Sequence, residues 1–140
     1  MKNKNNNIQI ISELHPQHSG SKKLLYQMAL MSQLGGADSI KLQLYSVNDV
    51  PNGNKKDYLV LNDSDVSDLT NFCDQDKIDL FFSCFNLEKL KFLNNLGFKK
   101  IKIASRSNNN NKIINYCLDN FSEVLISTDN LAHARKLKKN

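Results

Sequence analysis

A chain of 140 residues with 40% hydrophobic and 24% charged side chains is sized for one domain, 1–140, too apolar to stay unfolded and too polar to span a bilayer. Its formal charge of +5 admits anionic partners, but the lysines are scattered and no broad basic stripe is present, which sets nucleic acid aside. Cys73, Cys84 and Cys117 lack C-x-x-C spacing, which excludes a zinc framework or disulfide scaffold and fits a reducing cytoplasm.

Residues 1–7, MKNKNNN, read as a disordered tail. The apolar run behind them is short and interrupted by Gln9, unlike a signal peptide or membrane span. Residues 8–13, IQIISE, read as the first strand, with Gln9, Ile11 and Glu13 on one face. Pro16 and Gly20 mark 14–20 as a loop. Ser21 can cap a helix running to about Leu34, with Leu24, Leu25, Met28 and Met31 on one side.

The second strand, 39–45, alternates Ile40, Leu42 and Leu44 with Ser39, Lys41, Gln43 and Tyr45. Residues 46–62 form a long polar connection containing Pro51 and Gly53, of a length that is often functional. Ser64 or Asp65 caps a helix carrying Val66, Leu69, Phe72 and Cys73. DLFFSCF is a third strand. NLEKLKFLNNLG is a helix with Leu87, Leu90, Leu93 and Leu96 inward and Gly97 as its stop. FKKIKIAS is a fourth strand, setting Lys100, Lys102 and Ala104 against Ile101 and Ile103. NNKIINYCLDNF is a helix, EVLIST a fifth strand and NLAHARKLKK a last helix. The asparagine runs are compositional bias in loops.

Strand and helix alternate five times, which predicts an α/β fold with one parallel sheet covered by helices. No two-residue hairpin turn links neighbouring strands. Glu13, Ser83 and Ser127 lie at carboxyl ends of strands, where α/β folds build their sites. A lysine on a covered sheet face must meet water, a counter-ion or an anionic ligand, because an unpaired buried ammonium is costly. Lys41 and Lys102 therefore read as a trap for phosphate or carboxylate. The plainer alternative is a partly exposed sheet face.

From about residue 8 to about residue 128 the motifs resemble those of the sialic acid (N-acetylneuraminate) synthases and the related legionaminate and pseudaminate synthases. SELHPQHSG is similar to the family's A-E-I-G-x-N-H-x-G, keeping Glu13, His18 and Gly20. GADSIKLQ is close to G-A-D-A-V-K-x-Q. FSCFNLEKL resembles S-T-P-F-D-x-E-S, with Ser83 in the threonine's place. FLNNLG, KIASRS and VLISTDN match F-L-x-x-L-G, K-I-A-S-G-E and I-L-S-T-G-M in order and spacing.

The resemblance implies a TIM-type (β/α)₈ barrel, present here as a partial barrel of about five parallel βα units. It implies condensation of phosphoenolpyruvate with an open-chain N-acyl amino sugar of the N-acetylmannosamine type. The enol carbon attacks the aldehyde, and water then attacks the oxocarbenium centre and releases phosphate. It implies a divalent metal, manganese or magnesium, polarising the aldehyde. Lys41, Gln43, Ser83, Lys102, Ser105 and Ser127 fall on the family's phosphoenolpyruvate contacts, and Glu13 on an acid near the sugar end that is read as catalytic.

Three positions depart from the pattern. Ser107 stands where the family has glutamate, Arg106 where it has glycine and Gln17 where it has asparagine. A complete barrel needs about 250 residues, and the family's metal-binding histidines lie on later strands. Metal ligands are thus expected to be absent from this chain. His18 is expected to hold its loop by a hydrogen bond, and His133 to sit on the surface. The expectation is a truncated or split synthase, or a subunit completed by a second chain, poorly active alone. The alternative is a non-catalytic anion-binding or interaction module derived from the same fold.

Overall fold

The computed structural model describes residues 8–49 and 57–137, the side chains of 133, 136 and 137 excepted. The tail expected at 1–7, the turn residues Pro51 and Gly53, and the side chain of His133 lie outside them. The elements run β1 (Ile11–Glu13), α1 (Lys22–Leu34), β2 (Ser39–Leu44), α2 (Asp63–Gln75), β3 (Leu80–Cys84), α3 (Leu87–Asn95), β4 (Lys100–Ile103), α4 (Asn111–Asn120), β5 (Glu123–Ile126) and α5 (Leu131–Leu137). The strands form one sheet in the order β1-β2-β3-β4-β5, every pair parallel. This is the predicted α/β topology, that of the first part of a TIM-type barrel.

Alternation of side chains along a strand divides the sheet into two faces. Ile40, Leu42 and Leu44 of β2, Phe82 and Cys84 of β3, and Ile101 and Ile103 of β4 point outward and are at most 1% exposed. They meet Leu69 and Cys73 of α2, Leu90 and Leu93 of α3, and Ile113 and Cys117 of α4 in one continuous core. Lys41, Gln43, Ser83 and Lys102 therefore share the opposite, concave face.

Some boundaries differ from expectation. The first strand pairs only over Ile11–Glu13, and Ile8 and Ile10 are exposed. The N-cap of α2 is Asn62, rather than Ser64 or Asp65. Asn62 Oδ1 accepts the Asp65 N–H at 2.8 Å, while an Asp65 carboxylate oxygen accepts the Asn62 N–H at 3.2 Å. This reciprocal capping box satisfies two donors that the first turn leaves open, and Ser64 is left to donate its hydroxyl to Asn62. In α1 the buried stripe is Leu25 and Ala29, while Leu24, Met31 and Leu34 are exposed. Their side of α1 bounds a groove of about 470 Å³ with Met28 and Leu30. Leu96 is also exposed, because it caps α3 after the last full turn, just before Gly97 at φ +90°.

The candidate anion site at the carboxyl ends of the strands

Register brings the polar side chains of the concave face together. Glu13 pairs with Lys41, Gln43 with Ser83, and Ser83 with Lys102. The loops after β4 and β5 add Ser105 and Ser127 at the same end. All seven residues singled out from the sequence, Glu13, Lys41, Gln43, Ser83, Lys102, Ser105 and Ser127, line one hollow of about 330 Å³. A second hollow of about 330 Å³ continues down the same face past Ile11, Phe81 and Leu125. Another hollow, of about 480 Å³, lies at the opposite end of the strands, around Asp79 and Lys99, away from these groups.

Lys41 is 4% exposed. Its ammonium pairs with Glu13 and donates to Ser83 Oγ at 3.1 Å. Burial pulls its pKa below the ordinary lysine value, the Glu13 carboxylate opposes that, and Lys102 adds to it. Glu13 is held on its other oxygen by the His15 backbone N–H at 3.3 Å. Lys102 makes no hydrogen bond or ion pair among the described residues, so its positive charge faces the hollow uncompensated. Lys100, on the same face one step deeper, is engaged by Asp79 and Glu123 at 3.7 and 3.5 Å and stacks 4.6 Å from the Phe81 ring centroid. Of the three lysines on this face, Lys41 and Lys100 are thus paired, and Lys102 has no carboxylate partner among the described residues.

The loop after β1 holds a buried histidine pair. His18 Nδ1 accepts the Gly20 N–H at 3.1 Å, so its proton sits on Nε2, which lies 3.3 Å from His15 Nδ1. His15 then carries its own proton on Nε2, which is buried without a partner among the described residues. Burial, then His18, then Lys41, lower the His15 pKa to about 4, and burial lowers that of His18. His18 ties the loop together, as expected. Gly20 is required there: its φ is +79°, and a Cβ would stand 2.6 Å from the Tyr58 carbonyl oxygen.

Among the described residues no three His, Cys, Asp or Glu side chains converge as metal ligands. The two histidines spend their facing nitrogens on each other, so they do not fit a metal. Burial pushes the Cys73 and Cys117 thiols up to about 12, which leaves them packed and unreactive.

Three lining residues were not assigned to the site from the sequence. Tyr45 and Phe85 stack at 4.7 Å with an 11° interplanar angle. The Arg106 guanidinium lies 3.7 Å from the Phe85 ring centroid and 5.3 Å from that of Tyr45. The Tyr45 hydroxyl donates to Gln43 Oε1, which fixes that amide. The two-residue periods 41–43–45 and 81–83–85 carried a signal for the aromatics. Arg106 lies on the single turn Ser105–Ser107 after β4, where no period points. It stands at the wall of the hollow.

A profile described as the NeuB family matches residues 29–135. No curated protein sequence matches the chain. Among solved structures, the N-acetylneuraminic acid (sialic acid) synthetase of Leptospira borgpetersenii serovar Hardjo-bovis, in complex with citrate, superposes with a TM-score of 0.86 at 21% identity. The alignment covers 96% of this chain and 50% of that one. A Chromobacterium violaceum ATCC 12472 protein described as a putative spore coat polysaccharide biosynthesis protein E gives 0.79 at 18% identity, covering 95% and 45%. At these identities the likeness is one of fold. The chain spans about half the length of the solved structures it matches.

Proposed function

The chain belongs to the NeuB family, and from that premise we propose that it forms the phosphoenolpyruvate-holding part of a nonulosonic acid synthase. The observation that carries the reading is Lys102, an ammonium unpaired among the described residues, in a hollow whose other lysine, Lys41, is already anchored to Ser83 and Glu13. A ligand with a phosphate and a carboxylate supplies the missing counter-charge. Lys102 meets one anionic group. Lys41 turns from Glu13 toward the other. Ser83, Ser105 and Ser127 donate short hydroxyl bonds to the remaining oxygens. Glu13, released from Lys41, stands at the sugar end as the acid–base group.

The co-substrate in this proposal is an amino sugar of the N-acetylmannosamine type, and the reaction is formation of a carbon–carbon bond with loss of phosphate. The divalent metal that the resemblance implies would come with ligands from polypeptide outside this chain. A second chain completing the barrel would pair along β1 and β5, the two outer strands of the sheet. The setting is the reducing cytoplasm, consistent with three free, buried cysteines. Among the described residues no helix is long and apolar enough to cross a membrane.

A second reading, a non-catalytic anion-binding module, is favoured by Ser107, which offers no carboxylate where the resemblance puts one. Calorimetry with phosphoenolpyruvate at low salt tests both. The wild type binds, and Lys41→Met weakens binding more than about tenfold, since a hydrogen bond to a charged group is worth roughly 1.5–3 kcal/mol. Equal binding by the two proteins, or none by the wild type, overturns the anion site on which both readings depend. Phosphate release from phosphoenolpyruvate and N-acetylmannosamine with manganese separates the synthase from the module.

A further inference from the structure

Arg106 separates two hollows. It lines the one holding Lys41 and Lys102, and also a neighbouring polar pocket of about 340 Å³ that includes Asn48, Ser107 and Asn110. One guanidinium nitrogen donates to the Asp49 carbonyl at 3.0 Å, and the plane rests on Phe85. The other donors have no partner among the described residues. Among the described residues, Asp49 is the one carboxylate lining this pocket. Its Oδ2 accepts from the Ser46 N–H at 3.1 Å, and from the Ser46 hydroxyl and the Asn86 amide, so its charge is spread over three donors. Arg106 is thus a planar cation held by a stack and a backbone bond, with its remaining edge free beside hydroxyl and amide groups. The resemblance puts glycine and glutamate at positions 106 and 107, so this corner has gained a cation and lost an anion.

We propose that this polar pocket is a subsite for an anionic sugar, with Arg106 receiving a carboxylate or phosphate on the second substrate while Ser107, Asn48 and Asn110 meet its hydroxyls. The inference rests on the proposed reading of the adjoining hollow as the phosphoenolpyruvate site. It adds what that reading leaves open: the charge class of the sugar. A guanidinium fork suits either anion, since both present two oxygens in a plane. An uncharged sugar would leave the free edge of the fork to water.

The test is titration of the full chain, followed by NMR, with mannose, mannuronate and mannose 6-phosphate, in the wild type, Arg106→Gln and Arg106→Lys. The wild type is expected to bind at least one of the two anionic sugars about tenfold more tightly than mannose, as one charge-assisted contact allows. Arg106→Gln loses that preference. Arg106→Lys, which keeps the charge without the planar stack, retains part of it. Which anionic sugar binds more tightly distinguishes carboxylate from phosphate. Equal affinity for all three sugars, no binding of any, or a preference that survives Arg106→Gln overturns the proposal. Amide spectra of the variants report that the fold is kept, and Arg106 is exposed, so its replacement leaves the core packing in place. Phosphoenolpyruvate titrated into the wild type and Lys102→Met reads the parent proposal separately. No binding by the wild type, or equal binding by Lys102→Met, with the sugar preference intact would fault the parent reading alone.

Discussion

At the scale of single residues, protons decide the behaviour of the β1–α1 loop. His15 is 3% exposed and its pKa is lowered to about 4. Its Nδ1 must stay unprotonated to accept from His18. In the unfolded chain the same ring takes up a proton near pH 6.5. Between those two values protons bind the unfolded state more readily, so stability is complete above about pH 6.5 and falls as the pH drops toward about 4. The difference amounts to about 1–2 kcal/mol between pH 7 and pH 5. Urea unfolding at the two pH values should show that loss in the wild type and a smaller one in His15→Asn. Identical losses would mean that carboxylates elsewhere carry the acid sensitivity. Lys41 presents the opposite balance. It is a buried cation with a carboxylate and a hydroxyl as partners, and removing one member of a pair is costly only where the other charge stays buried, whereas the Glu13 side chain is 38% exposed and open to water. Lys41→Met is therefore a fair probe of binding, because the carboxylate it leaves behind can be hydrated.

At the scale of elements, the first turn of α2 offers a clean measurement. Asn62→Ala removes the side-chain half of the capping box, the bond from the Asp65 N–H, and should destabilise the protein by about 1 kcal/mol, with an unchanged denaturant slope. Ser64→Ala, which removes only a bond to the capping side chain, should cost less. A larger loss in Ser64→Ala would return the cap to the position that the sequence suggested. The misreading has a physical source: NDSD offers four capping residues in a row, and only backbone direction selects among them. Strand faces were legible because period two leaves no freedom once Ile40, Leu42 and Leu44 are committed to the core. The concave set Lys41, Gln43, Ser83 and Lys102 followed from that commitment. The stack of Tyr45, Phe85 and Arg106 did not. Its members come from three separate segments, and a stacking contact leaves no mark on any one of them. Leu24 and Met31 share a side of the helix with Leu25 and Met28 in the sequence pattern, but spacing alone does not say how far the core reaches around it. Here that side of α1 has only a shallow groove.

At the scale of the whole molecule, the sheet has two outer strands, and β1 carries exposed Ile8, Ile10 and Ile11 on or beside it. Unpaired strand edges invite pairing. An open sheet also leaves the concave face wet, which would weaken the attraction of Lys41 and Lys102 for the ligand proposed above. The purified chain, given phosphoenolpyruvate, N-acetylmannosamine and manganese, is therefore expected to release phosphate at least about 10²-fold more slowly than a complete family enzyme, the scale of one lost acid–base group. Comparable turnover would show that the five units and Ser107 suffice. The strictly sequential strand order has a further consequence, for the time course of folding. Each strand pairs with the one synthesised just before it, and the most distant partners in register are of the kind Ile40 and Leu80. β4 finds β3 across a much shorter stretch, as Ser83 and Lys102 show. Closing a loop twice as long costs only about 0.6 kcal/mol more, so no pairing has to wait for the carboxyl terminus. The chain can build its sheet from one end as it leaves the ribosome, with the docking of β3 on β2 as the slowest closure and the later strands adding to a surface already formed.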